Sequence, residues 1–222
     1  DAQIKTLSKE LQKAGSKGVV LTGLNDKNAQ LIALAINKAL SSEVIDINNT
    51  LNIRQGNDAE VAQLVADLKA GTVAGVITYN VDPVYSLAGF SEGIKDKFSV
   101  AISTENNATA NASEFALPAP HYLESWGDVM ISESNFGLMQ PTIQPLFNTR
   151  QVQDTLLTWS GNSTKYYDYL KTASAEMLGG ASWNTVLHDG FYKKEVSVSN
   201  TAGDVDVSAA ASELVSATKA SK

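Results

Sequence analysis

At 222 residues, 43% of them hydrophobic, the chain can bury a core without covalent staples, as one large domain or a domain with an appendage. Its formal net charge is −7 and it has no run of Lys or Arg, so neither a nucleic-acid surface nor a polybasic membrane patch is expected; no apolar run is long enough to span a bilayer. The absence of Cys excludes disulfides, thiolate metal sites, Cys-ligated iron–sulfur clusters and Cys nucleophiles within this stretch.

The chain opens without Met and in the middle of a helical pattern, with Ile4, Leu7, Leu11 and Ala14 at helical spacing up to Gly15, as expected of a piece of something longer. Gly18-Val-Val-Leu-Thr-Gly23, an apolar run between glycines, predicts a strand. Asn25 or Asp26 then caps a helix through Leu40 that turns Leu31, Leu34, Ala35 and Ala39 inward. The phrase repeats: Val44-Ile-Asp-Ile47 predicts a second strand, and Asn57-Asp-Ala-Glu60 starts a helix carrying Val61, Leu64, Val65 and Leu68 and closed by Gly71. Three more strands are predicted at 74–79, 98–102 and 113–117. This alternation of short apolar strands with helices predicts an α/β fold, a Rossmann-like, doubly wound and mostly parallel sheet of about five strands over residues 1–148.

After residue 148 no further strands are expected. Thr149 caps a helix through Trp159 that Gly161 ends, Ser163 or Thr164 opens another with Tyr166, Tyr169, Leu170, Ala173 and Met177 on one stripe, and Ser182 opens a third before Gly190. Residues 149–192 thus read as a helical extension, and 193–222 as a weakly structured tail.

In an open parallel sheet, ligands bind beyond the carboxyl ends of the strands. The first such loop, Thr22-Gly-Leu-Asn-Asp-Lys27, lacks the glycines of a dinucleotide fingerprint and the Gly-Lys-Ser/Thr of a phosphate loop. Asn80-Val-Asp-Pro-Val-Tyr-Ser86 follows the third strand with side chains that suit either a polar ligand or an Asx/Pro turn bonding its own backbone. The least generic loop is Leu117-Pro-Ala-Pro-His-Tyr-Leu-Glu-Ser-Trp-Gly-Asp128. There His121 and Glu124 are spaced as an acid/base pair or two metal ligands would be, but neither a third nor a fourth ligand accompanies them. The simpler reading has both bonding the loop backbone with Trp126 packed beneath. His188-Asp189-Gly190 reads as a helix C-terminus.

The order of these segments resembles the molybdopterin oxidoreductase superfamily, and within it the molybdopterin-like iron–sulfur B subunits of bacterial alternative complex III, related to polysulfide reductase. The resemblance rests on Thr78-Tyr-Asn-Val-Asp-Pro-Val-Tyr85, Thr104-Glu-Asn-Asn-Ala-Thr-Ala-Asn111, Leu117-Pro118, His121-Tyr-Leu-Glu124 with Trp126-Gly127-Asp128, Gln140-Pro141 with Pro145-Leu146, and Leu187-His-Asp-Gly190. The family's Asn-Pro is Asn-Val-Asp-Pro here, one loop residue longer. The resemblance implies an α/β domain that cradles a molybdopterin guanine dinucleotide, with Asn80, Asp82, Ser86 and Glu105 nearest a guanosine, and His121, Glu124, Trp126, Gly127 and Asp128 as a structural motif.

The subunits of alternative complex III hold no molybdenum cofactor, so the resemblance implies a vestigial pocket, no cofactor in this segment and no turnover by it alone. It also implies a periplasmic place beside the cytoplasmic membrane, and as partners the rest of the polypeptide and the other respiratory subunits, without membrane insertion. The alternatives are a cofactor-binding domain of an active molybdenum enzyme and a free-standing small-ligand-binding protein.

Overall fold

The computed structural model describes residues 2–46, 49–53, 56–195 and 205–220. The chain divides into two compact units: Asp1–Thr50 with Ser197–Lys222, and Leu51–Val196.

The first unit is helical. Helix α1 spans Ala2–Ala14 and stops where Gly15 takes a φ of +53°. Helix α2, Lys27–Ala39, is capped by Asp26, whose carboxylate accepts from the Ala29 amide at 2.9 Å. Its buried face is Ala29, Ala33 and Asn37, four residues apart, and it packs against α10, Val207–Ala220, where Ala210 is buried. The inner face expected at Leu31, Leu34, Ala35 and Ala39 is therefore displaced: Leu34 and Ala39 are exposed, and small residues carry the contact because they let two helix backbones approach closely. Helix α10 also lies within the tail expected to be weakly structured.

Residues 18–23 form no strand. Asn37 supplies what a neighbouring strand would: its Oδ1 accepts from the Val20 amide at 2.7 Å and its Nδ2 donates to the Val20 carbonyl at 2.8 Å. The Ser42 hydroxyl donates to the Gly18 carbonyl at 2.6 Å. The second expected strand is likewise absent over 44–46, where the backbone bends; Ile47 lies outside the described residues.

The second unit holds the parallel sheet. Helix α3, Asp58–Ala70, begins at Asn57, which accepts from the Glu60 amide at 3.3 Å, and ends at Gly71 with φ +77°. Strands β1 (Gly75–Tyr79), β2 (Phe98–Ser103) and β3 (Phe115–Pro118) pair in parallel in that order, Ile77 opposite Val100 and Ile102 opposite Leu117. Central β2 is buried on both sides, as an apolar run in a parallel sheet should be. Short helices α4 (Pro83–Ser86) and α5 (Phe90–Ile94) join β1 to β2, and α6 (Ala108–Ala112) joins β2 to β3. Leu68, Phe90 and Ile94 form one core; Val100, Ile102 and Ala119 form another with Val152 of α7, Val152–Trp159.

The architecture is mixed α/β, but among the described residues three parallel strands stand where about five were expected, and a second sheet was not foreseen. Strands β4 (Gly127–Ser132) and β5 (Asn135–Met139) form a hairpin that begins at the end of the loop read over 117–128. Strand β6, Phe191–Lys193, pairs with β5, so strands do not end at residue 148. Over this antiparallel sheet pack α8 (Tyr166–Ala173) and α9 (Trp183–Asp189), burying Phe136, Leu138, Tyr166, Leu170, Trp183 and Val186 together. Helix α7 starts at Gln151, not Thr149, and α8 at Lys165, not Ser163 or Thr164; the α8 start is capped in trans, the Tyr166 amide donating to Asp154 at 2.8 Å.

Candidate functional site

The loops leaving β1 and β2 lie side by side, and their polar side chains bond one another. Asn80 adopts φ +48°, tolerated by Asn better than by most residues, and its Oδ1 accepts from the Thr104 amide at 3.2 Å. Asp82 accepts from the Thr109 hydroxyl at 2.6 Å, the Thr109 amide at 2.9 Å and the Ala108 amide at 3.3 Å, closing the start of α6. The Thr109 hydroxyl, which donates most strongly to it, holds the Asp82 carboxyl below the usual carboxylate range, against a smaller opposing effect of burial. Thr109 is buried and also accepts from the Val84 amide at 3.0 Å. The Ser86 hydroxyl turns back onto the Asp82 carbonyl at 2.9 Å. Glu105 meets Ser103 through its backbone, and its carboxylate pairs with no described residue.

Asn80, Asp82 and Glu105 line one groove of about 250 Å³, which Ser86 does not reach. Of these residues Asp82 is poorly placed to take a guanine edge. Three donors already occupy Asp82, leaving about one of the four lone-pair directions of a carboxylate for a guanine edge.

The His121–Asp128 segment is a lock between loops and helices. His121 and Glu124 flank one turn of 3₁₀ helix over Tyr122–Glu124 and face the backbone, not each other. The Leu123 amide donates to His121 Nδ1 at 3.4 Å, the His121 amide to Glu124 Oε2 at 3.3 Å, and the Leu146 amide to Glu124 Oε1 at 3.5 Å. These long bonds are weaker than the Asp82 set. Trp126 is held through its main chain: its amide donates to Gln151 Oε1 at 3.1 Å and its carbonyl accepts from Gln151 Nε2 at 2.8 Å. Its ring lies 4.6 Å from that of Tyr167, which meets Trp183 edge-on at 6.0 Å. Asp128 accepts from the Tyr166 hydroxyl at 2.5 Å. Burial first, and the neighbouring Asp128 second, push the Tyr166 phenol well above its ordinary value.

A cavity of about 420 Å³ opens between the two sets, bringing Asn80 and Thr104 together with His121, Trp126 and Asp128. In its wall Gln153 Oε1 is buried without a partner. Glu124 faces an adjacent cleft of about 390 Å³ with Arg150 and Lys165. His188 Nδ1 lies 3.0 Å from Asp189 at the exposed end of α9, away from these residues. Among the described residues no group of three His, Asp or Glu side chains could hold a metal ion, and no helix is long and apolar enough to cross a membrane.

Thr109, Gln151, Gln153 and Tyr166 escaped the sequence reading. Only Tyr166 left a signal, its place on the α8 stripe; the others are polar residues at helix starts, indistinguishable there from ordinary caps. No protein-family model matches the chain, and no curated protein matches it.

Proposed function

We propose that the chain is a scaffold segment of a molybdopterin-oxidoreductase-like subunit, in a membrane-associated respiratory complex of the quinol-oxidising, alternative complex III type on the periplasmic side of a bacterial membrane. The order of its motifs supports the superfamily. The observation that carries the scaffold role is the bonding of Asp82 to Ala108 and Thr109, which spends on the loops themselves the side chain that would face a nucleotide. On this reading the three parallel strands are the heart of a Rossmann-like, doubly wound sheet, no pterin sits in this segment, and the electron carriers belong to other parts of the subunit and to its partners.

The test is purification of the tagged chain's parent protein from its source membranes in mild detergent. The expected result is co-migration with haem- and iron–sulfur-bearing subunits, quinol oxidation by the assembly, and molybdenum far below one atom per complex. Stoichiometric molybdenum would instead favour a cofactor-binding domain. Recovery as a lone soluble protein would sink the respiratory reading.

A second reading, a small-ligand-binding module, has in its favour the 420 Å³ cavity and the unpartnered Gln153 Oε1. It requires ligand-dependent thermal stabilisation of the isolated chain.

A further inference from the structure

One edge of the run Gly18-Val-Val-Leu-Thr-Gly23 is already paired, though not by a strand. The carbonyls of Gly18, Val20 and Thr22 accept from the Ser42 hydroxyl at 2.6 Å, Asn37 Nδ2 at 2.8 Å and Gln30 Nε2 at 3.3 Å, and the Val20 amide donates to Asn37 Oδ1 at 2.7 Å. The bonded positions alternate, which is the period of a strand edge. Their partners follow in reverse order along α2 and the turn after it, as an antiparallel neighbour would supply them.

The positions between form the opposite edge. Among the described residues the main chains of Val19, Leu21 and Gly23 have no hydrogen-bond partner. Leu21 is 79% exposed, and at Gly23 nothing lies within 4 Å of where a side chain would begin. Between Lys17 and Asp26 the chain carries neither charge nor Pro, so it lacks the residues that blunt an open edge.

We infer that this free edge is an interface for a second copy of the chain, the two runs pairing antiparallel across a two-fold axis at Leu21. The free positions match themselves. Pairing about Leu21 sets Leu21 opposite Leu21 and Val19 opposite Gly23, so each free position of one copy meets a free position of the other, and about six main-chain hydrogen bonds form.

The end charges match in the same way. Lys17, which has no ion pair with a described residue, is brought toward the Asn25-Asp26 end of the other copy. Residues 1–50 with 197–222 hold eight basic and eight acidic residues, so these units meet without net repulsion. This self-matching favours a second copy over an unrelated strand.

The test is sedimentation equilibrium of the whole chain from about 1 µM to about 1 mM. Expected is a reversible monomer–dimer equilibrium with a Kd on the order of 0.1 mM, as about six hydrogen bonds at their usual net worth provide. Leu21→Lys and Leu21→Glu each place like charges face to face across the axis and should weaken dimerisation at least tenfold. Mixed in equal amounts, the two variants should pair with each other at least tenfold more tightly than either pairs with itself. The Val19, Leu21 and Gly23 amides of the wild type should exchange more slowly as concentration rises. Position 21 is exposed, and circular dichroism checks that both variants keep α2.

A monomer at every concentration, dimerisation that neither charge disturbs, or a mixture no tighter than either variant alone would each overturn the proposal. So would a dimer whose Val19 and Leu21 amides exchange as fast as the monomer's, since the contact would then lie elsewhere. The measurement needs no other subunit, so its failure leaves the respiratory reading standing, and failure of that reading leaves it untouched.

Discussion

Asp82 grips Thr109 twice, through the amide at 2.9 Å and the hydroxyl at 2.6 Å, and so ties the loop after β1 to the first turn after β2. Because the Thr109 hydroxyl also accepts from the Val84 amide, it holds the segment after β1 at two points.

Thr109→Val preserves the shape but removes that hydroxyl, stranding the Val84 amide. The expected cost is about 1–3 kcal/mol, read as a lower denaturant midpoint at unchanged slope. Thr109→Ser keeps the hydroxyl and should recover most of the loss; equal loss in both variants would show that the methyl, not the bond, matters.

The same bonds set an acid dependence. The folded-state pKa of Asp82 lies below its unfolded value, so the stability it contributes is present above the ordinary carboxylate range and disappears as pH falls through the depressed value. Wild type should therefore lose more stability than Asp82→Asn between about pH 5 and pH 2, a difference that parallel urea titrations would reveal.

Tyr166 works in the opposite direction. Its folded pKa is raised, so its contribution is complete below the ordinary phenol value and is lost as pH rises through the folded one. In an ultraviolet titration one phenol should ionise later than the rest, and that late step should vanish in Tyr166→Phe. The variant also loses the bond to Asp128, at about 1 kcal/mol.

Gln151 holds Trp126 at both its amide and its carbonyl. Gln151→Ala should cost about 1–3 kcal/mol and speed exchange of the Trp126 amide. Gln151→Glu keeps the acceptor and loses the donor, so it should protect that amide while still destabilising.

Phe90, 2% exposed against Leu68 and Ile94, anchors one side of the parallel sheet. Its replacement by Ala should cost about 3–5 kcal/mol in thermal or urea unfolding.

Much of this was legible where physics is local. The capping of α2 by Asp26 and of α3 by Asn57, the left-handed ends at Gly71 and Gly190, and strands β1, β2 and β3 all follow from residue type and short spacing. What was not legible depends on partners far away in sequence. Residues 18–23 have the composition of a strand, but Asn37 supplies the paired bonds, and no local signal says that an amide side chain will stand in for a neighbouring strand. The hairpin of β4 and β5 was hidden because Glu133-Ser134 carries none of the Asn-Gly or Asp-Gly signals of a two-residue turn. At the candidate site, Asn80 and Asp82 were recognised as polar and placed, but which groups they would hold emerged only once the loop 104–109 lay beside them.

The packing of α2 against α10 has a consequence for how the protein is made. Asn28 bonds Glu213 at 3.0 Å across 185 positions, so the first unit is built from two stretches of chain with the other unit encoded between them. During synthesis α2 emerges early and waits for α10 to be translated, whereas residues 51–196 are contiguous and have all their contacts to hand much sooner. The small-residue face of α2 is thus left uncovered on the nascent chain until residues 207–220 have followed, which makes that face the natural client of a chaperone.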